Sequence, residues 1–189
     1  YIRAEDTKIV SELGNMSLVE LLLQGKTTTP VDLIKDLPGD DAAKAETIDN
    51  NLQHEIVRKM SSNPVYYGNL SDMLQEIIMR RKIAALSYAE YLRQVVEIAE
   101  AIVHPEKNMD YPQEVRDSAA RRALYDYLEE GYRTDLVVDL DNAISHAVRP
   151  GWKGNQPKES KIQEAIYNEL IRNGFDEKIA MMMVDHIFY

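Results

Sequence analysis

The chain has no cysteine. That excludes a thiolate metal site, a thiol nucleophile and a disulfide framework, and it suits the cytoplasm, the expected location. Large aromatics are scarce: one tryptophan and two phenylalanines stand beside eleven tyrosines in 189 residues. Positive charge is in the minority, 22 Lys and Arg against 32 Asp and Glu, for a net charge of -10. Free-standing nucleic-acid binding is driven largely by phosphate neutralisation, so this balance argues against it while leaving room for a local basic patch. No apolar run approaches the roughly 20 residues of a bilayer-spanning helix, and no secretory signal is visible. No membrane role is expected. Low-complexity tracts, fixed-period repeats and long blocks of like charge are missing too. An initial Met is also absent: the chain opens "YIRAED", which reads as a fragment of a longer protein.

What is present is helical periodicity. At 44% hydrophobic the chain can bury a core. Ile48, Leu52, Ile56 and Met60 recur every four residues, as one buried helix face requires. Leu136, Leu140, Ile144 and Val148 do the same, and Leu70, Leu74, Ile77 and Ile78 form a third stripe. Tyr88, Leu92, Val95, Ala99 and Ile102 form a fourth; Leu124, Tyr127 and Leu128, then Ile162, Ile166 and Leu170, give two more. Alternating strands and NG or DG hairpin turns are lacking. "SLVE" at Ser17 and "SYAE" at Ser87 fit the capping box. Thr29-Pro30 and Asn63-Pro64 fit a cap followed by proline. "LPGD" (37–40), "SSNP" (61–64), Gly131, "RPG" (149–151) and "NGFD" (173–176) interrupt the stripes. The expected fold is all-α: a bundle of about eight or nine amphipathic helices without significant sheet. One helical domain over 1–189 is expected, divisible into subdomains 1–104 and 112–189 joined by a 105–111 linker within "HPEKNMDYP".

Motifs for chemistry fail on spacing. Gly25-Lys26 would need a glycine at position 20 to make a phosphate-binding loop, and Glu20 stands there. His54-Glu55 opens like a zinc-protease helix, but the second ligand position is Arg58. Helical di-iron sites need an acid three residues before a histidine. Asn51, Ala101, Ala143 and Met183 precede His54, His104, His146 and His186 instead. Asp135 and Asp139 share a helix face, with Asp141 beside them. They read as a first-turn acid with solvated neighbours, against a metal or acid–base pair. No catalytic, cofactor-binding or metal-binding residue is expected.

Two basic concentrations remain: "MRRK" with Arg80, Arg81 and Lys82, and "RDSAARR" with Arg121 and Arg122. They read as solvated faces balanced by Glu76 and Glu114; the alternative is contact with duplex DNA phosphates. "AMMMVDHIF" (180–188) reads as a core helix, with an adaptable docking surface as the alternative. "RPGWKGNQPKESKI" (149–162) holds the lone tryptophan. Gly151-Trp152-Lys153-Gly154 matches a G-x-x-G clamp, but that clamp needs strands and only helices flank it here. The expected role of Trp152, Gly151 and Gly154 is a structural corner, the indole locking two helices; the alternative is a docking knob.

Three segments carry a family likeness. They are "AETIDNNLQHEIVRKMSSNPVYYGNLSDMLQEIIMRRKIAALSYAEYL" (45–92), "RRALYDYL" (121–128) and "AISHAVRPGWKGNQPKESKIQEAI" (143–166). In order and approximate spacing they resemble the C-terminal helical region of type I restriction enzyme R subunits. The resemblance covers about 45 to 175. It implies a non-catalytic assembly domain. Its partners would be the methyltransferase (modification) and specificity subunits and the motor domains of the same chain. It also implies that the nuclease and the ATP- and Mg-dependent motor lie in parent domains outside this fragment. The whole R subunit would be an ATP-dependent site-specific deoxyribonuclease. The alternative role is a DNA-path element of the translocase.

Overall fold

The structure is a computed structural model and describes residues 39–107, 111–128 and 134–188. The caps expected at Ser17 and Thr29 and the stop at Gly131 lie outside these residues. Among the described residues every regular element is a helix, and the fold is all-α. The chain divides into two compact units between residues 108 and 109, inside the 105–111 stretch.

The first unit holds α1 (Asp41–Lys59), α2 (Pro64–Lys82) and α3 (Tyr88–Val103), with short 3-10 turns at Met60–Ser62 and Pro105–Lys107. Each of the three long helices packs on the other two. α1 starts where the Asp40 carboxylate accepts the Ala43 N–H at 2.9 Å, and α2 starts where Asn63 accepts from Tyr66, with Pro64 in the first turn. Ser87 and Glu90 form the full capping box that opens α3. These side chains satisfy N–H groups that have no partner within the helix. The core is built from Ile48, Leu52 and Ile56 of α1, Leu70, Leu74 and Ile77 of α2, and Leu92, Val95, Ala99 and Ile102 of α3. Tyr88, expected on the α3 stripe, is only partly buried, whereas Tyr91 is fully enclosed.

The C-terminus of α2 carries local strain. The Ala85 N–H donates to the Arg80 carbonyl at 2.8 Å and the Ala84 N–H to the Arg81 carbonyl at 3.0 Å. This is a Schellman ending, in which the residue after the cap turns left-handed. α7 (Gln156–Arg172) ends the same way, with Gly174 at φ +87°. At α2 the position is Ala84, at φ +55°. A Cβ there costs roughly 1 kcal/mol. Ala84→Gly should therefore raise stability by about 1 kcal/mol in urea unfolding. A loss of stability would mean that the Ala84 methyl makes a contact worth more than the strain.

The second unit holds α4 (Gln113–Arg116), α5 (Ala119–Leu128), α6 (Thr134–Ala147), α7 and α8 (Glu177–Phe188). Packing runs along the chain: α4 and α5 meet α6, α6 meets α7, and α7 meets α8. Val115, Leu124, Leu128, Leu136, Val137, Leu140, Ile162, Ile166 and Leu170 are buried. Val137 is buried on α6, while Ile144 and Val148 are only half-buried. The buried stripe leans toward α6's N-terminal half.

No helix among the described residues is long and apolar enough to cross a membrane.

Candidate functional site

The first basic cluster splits by helical rotation. At about 100° per residue, three consecutive positions cannot share a face. Arg80 and Lys82 are exposed, but Arg81 points inward with 15% of its side chain exposed. Its guanidinium lies 2.8 Å from one oxygen of Asp49, itself nearly enclosed. The other Asp49 oxygen accepts the Tyr91 hydroxyl at 2.7 Å. That hydroxyl also lies 3.0 Å from the Ala45 carbonyl, so its single proton sits between two acceptors. The Arg81 guanidinium carbon stands 5.1 Å above the Tyr91 ring, a cation–π placement. Burial, and then the carboxylate it binds, push the Tyr91 phenol far above the ordinary tyrosine range. The ring therefore stays protonated as a donor. Arg81 is a structural bolt, and it is not free to meet a phosphate.

The second cluster is half-buried and paired. Arg121 donates to Asp141 at 2.7 Å and to the Glu114 carbonyl at 3.0 Å, tying α5 to α6 and α4. Arg122 donates to the Arg116 carbonyl, and Arg116 in turn donates to the Tyr111 carbonyl at 2.9 Å. Of the five basic residues considered for DNA, three are thus committed to internal partners. The two that are exposed, Arg80 and Lys82, lie in the first unit.

Asp141 is occupied by Arg121, and Asp135 sits in the first turn of α6. Asp141, expected to be solvated, is instead half-buried against the Arg121 guanidinium. His146 and His186 each contact the carbonyl four residues back, and His104 pairs with Glu106 at 3.0 Å. Among the described residues no group of three His, Asp or Glu could hold a metal ion.

The "RPGWKGNQPKESKI" corner is tied to the start of α7. Gly151 and Gly154 adopt φ +66° and +75°, a region closed to most side chains. Asn155 caps α7 by accepting the Lys158 N–H at 3.2 Å. The Lys158 ammonium returns to the Pro150 carbonyl at 2.6 Å, and the Gly154 N–H donates to Glu159 at 2.7 Å. Trp152 is half-buried. Its ring meets Phe188, at the end of α8, with centroids 5.8 Å apart and planes tilted by 60°, and the Lys153 ammonium lies 5.5 Å from its centroid. The indole thus reaches α8, a contact that helix periodicity does not reveal. Trp152→Ala should cost about 1–2 kcal/mol, less than a fully buried aromatic. Thermal unfolding followed by circular dichroism measures it; an unchanged midpoint would identify the indole as a free docking knob.

The methionine-rich helix divides between the two roles considered. Ala180, Met183 and Val184 of α8 are buried, while Ile179, Met181 and Met182 are exposed. Met73, Met79 and Ile83, at or just after α2, are exposed as well.

Sequence reasoning missed Asp49, Tyr91 and Lys59. The signal for Asp49 was its place on the apolar face: Ala45, Ile48, Asp49, Leu52 and Ile56 are the buried residues of α1. Lys59 donates to the Ile102 carbonyl at 2.7 Å and Tyr66 to the Ala101 carbonyl at 3.0 Å, satisfying the last turn of α3. Comparison with protein-family models, with curated proteins and with solved structures found no match to this chain.

Proposed function

We propose that this chain is a non-catalytic helical assembly domain of a type I restriction–modification R subunit. It docks the ATP-dependent translocase and endonuclease onto the methyltransferase core and braces the motor. The observation that carries this reading is the set of three sequence blocks in order, at 45–92, 121–128 and 143–166. They run over α1 to early α3, over most of α5, and over the corner between α6 and α7. An all-helical scaffold with exposed Met181, Met182 and Ile179 supports a protein-facing role, since methionine adapts to a partner's contours. The acidic balance favours a basic partner patch and speeds encounter with it.

The DNA-path alternative is weakened by the internal pairing of Arg81, Arg121 and Arg122. Phosphate binding needs several free cations, and Arg80 with Lys82 supply two. The test is reconstitution. The 189-residue chain should co-elute with the methyltransferase–specificity core in size-exclusion chromatography. An R subunit lacking this chain should fail to join that core. Normal assembly after deletion would refute the reading. Loss of DNA affinity on Arg80→Glu/Lys82→Glu, with assembly intact, would favour the DNA path.

A further inference from the structure

We propose that the Asp49–Arg81–Tyr91 cluster is a conformational selector, deciding on which side of the α1–α2 hairpin α3 packs. The links are short: Met60–Asn63 joins α1 to α2, and Ile83–Ser87 joins α2 to α3. Three amphipathic helices so joined can close in two ways, with α3 against either face of the hairpin. Apolar burial is non-directional. Leu92, Val95, Ala99 and Ile102 would be shielded from water in both arrangements.

The polar cluster is not indifferent. Each helix contributes one member: Asp49 from α1, Arg81 from α2, Tyr91 from α3. The Asp49 carboxylate gives one oxygen to the phenol and the other to the guanidinium, and the guanidinium lies over the phenol ring. With α3 on the other face, the phenol could not reach the same carboxylate. A buried hydroxyl and a buried carboxylate oxygen would then lack partners, which is costly. Stability alone gives no reason for the cluster, because a buried ion pair often does no better than apolar residues of similar volume. The two caps at the far end of α3, from Lys59 and Tyr66, are only part-buried. Water can take their place in the other arrangement.

The chain lacks cysteine, so cysteines introduced at exposed His54 and Glu97 accept a pair of spin labels without background. In the otherwise unaltered chain the α1–α3 distance should give one narrow peak; two peaks would overturn the proposal. In Asp49→Leu/Arg81→Met/Tyr91→Phe the helix content should persist. A second peak should then hold about one molecule in ten or more. A single unchanged peak in that folded triple variant overturns the proposal. If the triple variant loses its helix content, Tyr91→Phe decides, because it removes only the hydroxyl. A second peak there supports selection by α3's phenol, and an unchanged single peak overturns it.

Discussion

Asp49→Ala should destabilise the first unit by about 3–5 kcal/mol, the range for removing one partner of a buried ion pair. The substitution leaves the Arg81 guanidinium, 15% exposed, without its counter-ion. It also takes one of two acceptors from the Tyr91 hydroxyl. Amide hydrogen exchange of α1 and α3 is the measurement, since it reads local opening unit by unit. Exchange should quicken throughout the core around Ile48, Leu92 and Val95. Asp49→Asn should cost less, because an amide oxygen can still accept from the phenol. A change within about 0.5 kcal/mol for the alanine variant would place Asp49 among ordinary surface positions and remove the bolt.

Leu170→Ala should cost about 2–5 kcal/mol in the second unit. Leu170 is fully buried in the last turn of α7, on one stripe with Ile162 and Ile166. α7 packs against both α6 and α8, so a cavity there loosens two interfaces. Its carbonyl also accepts the Phe175 N–H that closes the helix. Trp152 is the only tryptophan, and it belongs to this unit. Its fluorescence in guanidinium titration therefore reports the loss directly. The neighbour makes the control: Ile171 is 37% exposed, and Ile171→Ala should shift stability by no more than about 0.5 kcal/mol. Equal effects from the two substitutions would mean that α7 is rotated from the orientation described.

Much of the fold was legible because it rests on local rules. Ile48, Leu52 and Ile56 repeat at helical spacing, and burial of that face follows from water's exclusion of apolar surface. Asn63 before Pro64 and Ser87 before Glu90 mark helix starts, because their side chains satisfy N–H groups within three residues. Gly174 after Asn173 marks an end for an equally local reason. The basic clusters were less legible. "MRRK" reads as one charged patch, yet a rotation of 100° per residue turns Arg81 from its neighbours. Spacing shows that they diverge; it does not show which one faces the core.

The sequence by itself determined the helices, most of their caps and the apolar faces, since these depend on residues a few positions apart. It also ruled out thiol chemistry, because there is no cysteine. Tertiary structure decided what depends on partners far along the chain. Asp49 meets Tyr91 across 42 residues, Lys59 meets Ile102 across 43, and Trp152 meets Phe188 on a helix two elements away. Hydrophobic burial is non-directional and leaves such pairings open. A buried hydrogen bond or ion pair needs one geometry, so those contacts become visible only when the helices are in place.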